Sequence, residues 1–421
     1  MTITPICGSL DASVRVPGSK SLTNRALVLA ALAEGQTTLV NASRGDDSRD
    51  LAGALRALGI GVVVDDAGTI TVQGGGGRMP HTGVEVHAGL GGTTARFLIA
   101  LACTGHGEYL IDAAPRMRQR PVGDLIQALG QLGAQIESTD GHLPVRVRAR
   151  GLSGGRAVVS GEVSSQFLSA LLLVAPTARA PVELIVTGHL GSRPYVDMTL
   201  ATLAAFGIEV ERDAYTRFVV TPSSYRTPGT FVVEGDASAA SYFFAAPAIA
   251  GGRVRVEGIG RASRQGDIGF VDVLARMGCT IDEDDRGIGV ACDGAPLGID
   301  VDLSDMPDTA QTLAVMAPFA SGPTTVRGIA SARLKECDRV QAVCEELRKL
   351  GADVVERPDG LIVTPGNQLR GGLVKTYDDH RMAMAFALIG LRVPGVVIEN
   401  PACVTKSFPG YFEQLERLCR D

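Results

Sequence analysis

The chain has 421 residues, which is too long for one ordinary hydrophobic core and predicts two domains of roughly 200 residues each. Apolar residues make up 45% and charged residues 20%, a balance that excludes a disordered chain; the sequence has no apolar run of about 18 residues and no signal-peptide pattern, so we expect a cytoplasmic protein without a membrane span. The formal net charge of −6 excludes a general attraction for nucleic acid, so any anion site requires a local concentration of Lys and Arg.

The first predicted elements are a short strand that ends at Val16, a turn at Pro17-Gly18 and an apolar helix. Lys20, Ser21 and Arg25 lie in the first turns of this helix. Unpaired backbone N–H groups and the positive end of the helix dipole favour phosphate or carboxylate at that position. The segment therefore predicts an anion site, with a plain solvated helix cap as the alternative.

A pattern of helix, glycine turn and two β-like runs recurs five times along the chain. The turn glycines are 74, 74, 71 and 73 residues apart, at Gly59, Gly133, Gly207, Gly278 and Gly351. A further helix, YFEQLERLCR, ends the chain without following strands, and two short β-like runs begin it. We expect these N-terminal strands to complete the last unit, which places both termini in one domain.

A second type of helix recurs with the same period and is apolar nearly all round. Such helices are buried, and we expect three in each domain. The intervals are 72, 72, 72, 71 and 71 residues between the reference positions Ser21, Thr93, Ser165, Ala237, Asp308 and Asp379. Their polar starts are expected to face a shared cleft; six ordinary N-caps in water are the alternative.

The polar helix starts differ in charge from one half of the chain to the other. The first three carry cations, hydroxyls and an amide, and the last three carry carboxylates: Lys20, Ser21 and Arg25, then Gly92, Thr93 and Arg96, then Ser164, Ser165 and Gln166, against Asp236, Ser238 and Ser241, then Asp308, then Asp379, His380 and Arg381. Lys and Arg neutralise an anion, and an Asp can take a proton from an alcohol, so the set suits an anionic substrate with hydroxyl groups.

Three basic loops add to these helix starts. They hold Arg116, Arg118 and Arg120, then Lys335, Glu336 and Arg339, and then Lys406. Surface clusters that serve only solubility are the alternative for each loop.

The eight cysteines predict neither a disulfide framework nor a zinc site, because they are scattered and form no C-x-x-C pair. Cys103, Cys279, Cys337 and Cys344 are expected to be packing residues.

Nine motifs, in order over nearly the whole chain, resemble the 5-enolpyruvylshikimate-3-phosphate synthase family. They are PGSKSLTNRA, PRMRQRP, SSQFL, SRPYVDMTL, EGDASAASYF, QGDIGFVDVL, RLKECDR, YDDHRMAM and KSFPGYFEQL. The resemblance implies an α/β (α+β) fold class: a two-domain inside-out α/β barrel of six βαβαββ units, three per domain, with helices inside. The domains are expected at 1–17 plus 235–421 and at 18–234, with crossovers near Pro17-Gly18 and Glu234-Gly235.

The resemblance implies transfer of the enolpyruvyl group of phosphoenolpyruvate to the 5-hydroxyl of shikimate 3-phosphate, a step towards chorismate and the aromatic amino acids, by a monomer that binds these two small molecules. Shikimate 3-phosphate contacts are expected at Lys20, Ser21, Arg25, Ser164, Ser165, Gln166, Ser192, Asp308 and Lys335. Phosphoenolpyruvate contacts are expected at Lys20, Gly92, Arg120, Gln166, Arg339, Arg381 and Lys406.

The catalytic residues that the resemblance implies are Asp308, Glu336 and Lys20, and it implies neither a metal nor an organic cofactor. Asp308 is expected to take the proton of the alcohol, and Glu336 and Lys20 to deliver and remove the proton at the methylene carbon. The sequence departs from the family pattern at Leu90 and Phe97, where many members have Asn and Pro, and at Ser331, where some have Asn.

Two rival functions are weighed against this one. The enolpyruvyl transferase that acts on UDP-N-acetylglucosamine usually has a reactive Cys in the loop that corresponds to Asp112–Pro121, which contains none here. A catalytically silent scaffold that binds anions gains nothing from Asp308 and Glu336 among its cations.

Overall fold

The computed structural model describes residues 1–65, 68–366 and 368–418. It divides into two compact units, one formed by Met1–Pro17 with Glu234–Asp421 and the other by Gly18–Val233. The chain passes from one unit to the other between Pro17 and Gly18 and again between Val233 and Glu234.

The helices and strands alternate along the chain. The strands are β1 (Leu10–Arg15), β2 (Glu34–Val40), β3 (Gly61–Val64), β4 (Ile70–Gly75), β5 (Val84–His87), β6 (His106–Asp112), β7 (Gln135–Thr139), β8 (His142–Arg150), β9 (Gly155–Ser160), β10 (Val182–Thr187), β11 (Glu211–Asp213), β12 (Arg217–Val220), β13 (Thr230–Val232), β14 (Gly252–Glu257), β15 (Thr280–Glu283), β16 (Gly287–Cys292), β17 (Asp300–Asp302), β18 (Thr324–Arg327), β19 (Asp353–Arg357), β20 (Gly360–Thr364), β21 (Gly372–Val374) and β22 (Val396–Ile398). The α-helices are α1 (Lys20–Leu32), α2 (Asp46–Ala57), α3 (Gly92–Ala102), α4 (Pro115–Arg118), α5 (Gly123–Gln131), α6 (Ser165–Val174), α7 (Arg193–Ala205), α8 (Ala237–Ala250), α9 (Phe270–Arg276), α10 (Ala310–Met316), α11 (Arg339–Lys349), α12 (His380–Gly390) and α13 (Tyr411–Leu418).

The predicted repeat is confirmed by the sheets of both units. Five four-stranded sheets share one topology, in which a parallel outer pair is followed by two antiparallel strands: β13-β2-β4-β3, β5-β6-β8-β7, β9-β10-β12-β11, β1-β14-β16-β15 and β17-β18-β20-β19. The sixth sheet has only the parallel pair β21-β22. The five turn glycines have φ between 76° and 94°, the left-handed conformation that ends a helix and favours glycine, which explains the period.

Three apolar helices form the centre of each unit, as the sequence predicts. In the Gly18–Val233 unit these are α1, α3 and α6, and in the other unit α8, α10 and α12. Nearly every residue of these helices is buried, since each helix packs on the other two and on the surrounding sheets. Charged side chains are confined to the N-terminal halves of these helices, which carry the residues singled out in the sequence.

The expected pairing of the N-terminal strands is correct for one segment and wrong for the other. Residues 1–6 do lie along β22, where Thr2 bridges Val397 and Ile3 N–H donates to the Val396 carbonyl at 2.9 Å. However, β1 pairs in parallel with β14. The reason is that β13, the strand preceding α8, pairs with β2 in the other unit, which leaves the first-strand position beside β14 for β1.

The C-terminal helix α13 packs on the core of its own unit. Tyr411 is fully buried, and its hydroxyl donates to the Met384 carbonyl of α12 at 2.8 Å. The last residues of the predicted helix, with Cys419, lie outside the described residues. No helix in the described ranges combines the length and apolar character needed to cross a membrane.

Candidate active site

The start of α1 combines a helix cap with a held cation. The Ser19 side chain caps the helix and accepts from Leu22 N–H at 3.4 Å. The Lys20 ammonium lies 3.2 Å from Oδ2 of Asp47, a buried residue in the first turn of α2. Asp47 was not anticipated from the sequence. It keeps the ammonium close to the helix start, where the backbone N–H groups of α1 also favour an anion.

Arg25 is fully buried and all of its hydrogen-bond partners are neutral. Its Nε donates to Thr199 Oγ1 at 2.8 Å and its Nη1 to the Ser21 carbonyl at 2.9 Å. Its Nη2 donates to Ser169 Oγ at 3.2 Å and to the Tyr195 carbonyl at 3.1 Å. Burial lowers the pKa of Arg25 to about 10. A desolvated cation with neutral partners is held at a cost in folding free energy that an anionic ligand can offset.

The start of α3 approaches the guanidinium of Arg120. A Cβ added at Gly92 would lie 2.9 Å from both Nη atoms of Arg120, so the glycine allows this close approach. The arginines of this predicted basic loop have different surroundings. Arg118 forms a bidentate pair with Asp112, at 2.8 Å and 2.5 Å, and does not approach Gly92. Arg120 is buried, whereas Arg118 is half exposed.

The start of α6 is joined to α3 by Arg96. Ser164 caps α6 and accepts from Gln166 N–H at 3.3 Å. Arg96 Nη1 donates to Gln166 Oε1 at 2.6 Å, and the guanidinium lies 4.8 Å from the ring centroid of Phe167. The Gln166 carbonyl oxygen is therefore directed to Arg96.

Ser192 is placed at the start of α7 with φ 56° and ψ 40°, a left-handed conformation that is uncommon for serine. This helix also contributes Thr199 and the Tyr195 carbonyl to Arg25. We call the polar helix-start residues of this unit the hydroxyl cluster: Lys20, Ser21, Arg25, Gly92, Arg120, Ser164, Ser165, Gln166 and Ser192.

In the other unit, Asp308 accepts from three cations. It lies in a short 3-10 turn, Pro307–Thr309, just before α10. Its Oδ1 lies 2.6 Å from Lys335 Nζ and 2.9 Å from Arg339 Nη1, and its Oδ2 lies 2.7 Å from Arg381 Nη2. Burial acts to raise the pKa of Asp308, but the three cations outweigh it and hold the pKa well below its usual range.

Glu336 lies between Arg339, which also contacts Asp308, and one further cation, Lys406. Its Oε2 accepts from Arg339 Nη2 at 2.8 Å and its Oε1 lies 2.9 Å from Lys406 Nζ. Lys406 comes from the 3-10 segment Pro401–Lys406 and is buried. Two separate basic loops, one with Lys335 and Arg339 and the other with Lys406, therefore meet at Asp308 and Glu336.

Asp379 accepts hydrogen bonds from two arginines of this site, Arg339 and Arg381. It is fully buried, caps α12 and accepts from Arg381 N–H at 2.9 Å. It also accepts from Arg339 Nε at 2.7 Å. The carboxylates around Arg339 raise its pKa despite its burial. We call this set the carboxylate cluster: Asp308, Lys335, Glu336, Arg339, Asp379, Arg381 and Lys406.

A further acidic residue, Asp267, was not singled out from the sequence. It is 2% exposed and hydrogen-bonds to Ser238 Oγ in the first turn of α8. Burial and the charge of Asp308 raise the pKa of Asp267 to about 6. Its motif QGD was noticed only as part of the resemblance, and no spacing rule marks it as buried beside Asp308.

The departures from the family pattern have local structural roles. Phe97 is buried in α3, and its ring centroid lies 5.6 Å from the guanidinium carbon of Arg25. Ser331 lies in the 3-10 segment Ala330–Leu334, and this segment ends directly before Lys335. Within the described ranges, no group of three or more His, Cys, Asp or Glu side chains is arranged to hold a metal ion.

Comparisons with known proteins agree on one family. The model of the EPSP synthase (3-phosphoshikimate 1-carboxyvinyltransferase) family matches residues 5–415. The 3-phosphoshikimate 1-carboxyvinyltransferase of Shewanella denitrificans is 45% identical over 417 residues, 98% of this chain and 97% of the relative. That of an Enterobacter species is 47% identical over 423 residues, 99% of this chain and 98% of the relative.

Solved structures agree with the sequence comparisons. An EPSP synthase from Acinetobacter baumannii superposes with a TM-score of 0.81 at 26% identity, covering 99% of this chain and 97% of that one. The enolpyruvyl transferase NikO from Streptomyces tendae has a TM-score of 0.79 at 19% identity, over 99% of this chain and 96% of that one, and shows a shared fold. With a family match over almost its whole length and relatives near 45% identity, the chain belongs to the EPSP synthase family, the 3-phosphoshikimate 1-carboxyvinyltransferases.

Proposed function

We propose that the hydroxyl cluster and the carboxylate cluster serve one reaction, the transfer of the enolpyruvyl group of phosphoenolpyruvate to the 5-hydroxyl of shikimate 3-phosphate with release of phosphate. The family assignment carries the reaction type. The observation that carries the residue roles is the carboxylate of Asp308, held ionised by Lys335, Arg339 and Arg381. A carboxylate in this state can accept the proton of an alcohol.

The hydroxyl cluster supplies the charge that binds the substrates. Arg25 and the hydroxyls around it suit the anionic groups of shikimate 3-phosphate, with Ser21, Ser164, Ser165, Gln166 and Ser192 for its oxygens. Arg120 above Gly92 suits a phosphate or carboxylate of phosphoenolpyruvate, and Lys20 is proposed to contact both substrates.

The chemical steps follow from the electronics of phosphoenolpyruvate. A proton added to its methylene carbon makes C2 electrophilic, the 5-hydroxyl attacks C2 while Asp308 takes the hydroxyl proton, and a tetrahedral ketal forms. Loss of a proton from the new methyl group, with cleavage of the bond between C2 and the phosphate oxygen, then restores the carbon–carbon double bond and gives the enol ether product and phosphate. Glu336 and Lys20 are the proposed groups for proton delivery and removal at this carbon. Arg339, Arg381 and Lys406 stabilise the charge on the carboxylate and phosphate.

The decisive assay is inorganic phosphate release by the purified protein. We expect release only when shikimate 3-phosphate and phosphoenolpyruvate are both present. Release with phosphoenolpyruvate and UDP-N-acetylglucosamine would assign the chain to the rival transferase reaction. Binding of either substrate without any release would favour a silent anion-binding scaffold.

Lys20→Met tests the proposed double role of the ammonium. The variant should stay folded but lose turnover and bind both substrates more weakly, with a lower unfolding temperature because the buried Asp47 carboxylate loses its ammonium partner. Arg49→Met is the matched control, because Arg49 is exposed in α2, the helix that holds Asp47, and pairs only loosely with Asp46, at 3.6 Å. Unchanged kinetics in Lys20→Met would remove Lys20 from the site.

The remaining expectations rest on the family and the sequence. We propose that the protein acts as a monomer in the cytoplasm, that its partners are the two small-molecule substrates, and that it uses neither nucleic acid nor a cofactor. Light scattering at working concentration tests the monomer, since a mass of twice the 43.8 kDa chain would contradict it.

A further inference from the structure

Two cysteines face each other across the hairpin of β15 and β16, outside the hydroxyl cluster and the carboxylate cluster. In the antiparallel pair β15-β16, Thr280 is opposite Ala291. The next position of the same register places Cys279 opposite Cys292. Directly opposed residues in an antiparallel ladder have Cα atoms about 4.5 to 5.5 Å apart, which lies inside the range of roughly 4.4 to 6.8 Å that a disulfide accepts.

The two thiols are in contact and differ in acidity. A hydrogen bond from the Cys279 thiol lowers the pKa of Cys292 to about 7 and raises that of Cys279. Both cysteines are free in the structure, and Cys292 Sγ also lies 3.6 Å from the Gly294 carbonyl. A thiolate beside a protonated thiol is the arrangement in which one sulfur attacks an oxidant and the other resolves the product.

The chain next to this pair borders a cavity. Cys279 and Cys292 themselves are buried, at 6% and 4% exposed. The loop that follows Cys292 forms part of the wall of a cavity of ≈ 820 Å³, through Gly294 and Ala295. The cavity is open to solvent and adjoins the C-terminal ends of α8 and α12, at Ala250 and Leu391.

We propose that Cys279 and Cys292 form an oxidisable dithiol that closes to an intrachain disulfide when the protein meets a hydroperoxide. The Cys292 thiolate attacks a peroxide oxygen, the O–O bond breaks, and Cys292 becomes a sulfenic acid with release of hydroxide. Cys279 sulfur then attacks Cys292 sulfur, the S–O bond breaks, and the proton of Cys279 goes to the leaving oxygen as water. Two thiols and one hydrogen peroxide give one disulfide and two waters.

The position of the pair predicts that this oxidation spares catalysis. Cys292 is paired with Gly252, just beyond the C-terminal end of α8, whereas Asp267 and Ser238 lie at its N-terminal end. The helix has 14 residues, which separates its ends by about 21 Å. Cys337 differs, because its thiol lies 3.6 Å from Asp379 Oδ2 in the carboxylate cluster, so oxidation there would disturb Arg339.

The test is oxidation of the folded, full-length protein with hydrogen peroxide, followed by alkylation of remaining thiols and peptide mapping without reductant. Trypsin cuts at Arg286, between the two cysteines, so the disulfide appears as two peptides joined with the loss of two hydrogen atoms. We expect this species from the unchanged protein and from the control Cys344→Ser, and not from Cys279→Ser or Cys292→Ser. Phosphate release should remain after oxidation of a Cys337→Ser protein.

Two results would overturn the proposal. One is complete alkylation of Cys279 and Cys292 under conditions that oxidise the exposed Cys7. The other is a cross-link from either cysteine to a different partner. Both results come from the unchanged protein, so they decide the matter even where a serine variant folds poorly.

Discussion

The hydroxyl cluster and the carboxylate cluster both contain buried arginines, but the groups that contact these arginines differ in charge. Arg25 is surrounded by hydroxyls and carbonyls, and burial lowers its pKa to about 10. Arg339 is equally buried but contacts the carboxylates of Asp379, Glu336 and Asp308, which raise its pKa. The first arrangement has positive charge in excess, while the second is close to balanced within the protein.

This difference separates two tasks. Excess positive charge among neutral polar groups is suited to binding an anion, because the ligand supplies the compensating negative charge. A balanced network fixes the ionisation and position of its carboxylates before substrate arrives, as proton transfer and charge stabilisation require. The comparison assigns substrate binding mainly to the hydroxyl cluster and proton chemistry mainly to the carboxylate cluster.

The largest expected effect is that of Asp308→Asn on turnover. The amide keeps the size of the side chain but cannot take the proton of the alcohol, so kcat should fall by about 10² to 10⁴. The three cations also lose their shared carboxylate, and the unfolding temperature should fall. Steady-state phosphate release and calorimetry measure both. Asp300→Asn is the control, since Asp300 is 61% exposed and pairs with Arg327 at the surface. A normal kcat in Asp308→Asn would contradict the assignment of proton chemistry to the carboxylate cluster.

The next effect concerns the pH dependence of stability through Asp267. The pKa of Asp267 is about 6 in the folded protein and about 3.9 in an unfolded chain, so the folded state binds more protons between these values. The stability that this group contributes is complete below about pH 4 and is lost as pH rises through 6. Asp267→Asn removes the titration and keeps a partner for Ser238. Its free energy of unfolding relative to the unchanged protein should therefore be larger at pH 8 than at pH 4 by on the order of 3 kcal/mol. Parallel curves for both proteins in denaturant titrations across this range would contradict the raised pKa.

The smallest expected effect is that of Gly92→Ala in the hydroxyl cluster. The new methyl group would lie 2.9 Å from the Arg120 guanidinium and push it from its position. KM for phosphoenolpyruvate should rise about tenfold, equivalent to about 1.4 kcal/mol, while KM for shikimate 3-phosphate changes little. Gly53→Ala in α2 is the control, since nothing lies within 4 Å of its added methyl group. An equal rise in both KM values would contradict the assignment of Arg120 to phosphoenolpyruvate.

The period of the chain made much of the fold predictable. The turn glycines and the apolar helices recur because each βαβαββ unit needs the same left-handed turn and the same buried helix. The exchange of first strands was not predictable from the pattern, because β1 and β13 are equally suited by composition to either sheet. Their partners are set by tertiary pairing alone.

Site residues that belong to a family motif could be predicted from the sequence. Residues whose role depends on being buried beside another charged group could not. Lys335, Arg339 and Arg381 could be placed near Asp308 through the resemblance, and the structure brings them into contact. Asp47 and Asp267 carry no signal of their own in the sequence, since a buried acid beside a cation or a second acid depends on packing between elements. Arg118 shows the converse, because its motif is basic but its charge is neutralised by Asp112.

The central claim is that charge is in excess around Arg25 and balanced around Arg339, and one measurement tests it directly. Thermal unfolding without ligand is compared for Arg25→Met and Arg339→Met. Arg25→Met should be as stable as the unchanged protein or more so, because Thr199 still donates to the Tyr195 carbonyl at 2.8 Å and a buried charge is gone. Arg339→Met should lose about 3 to 5 kcal/mol, since it leaves buried carboxylates uncompensated. Comparable losses in both variants would contradict the account.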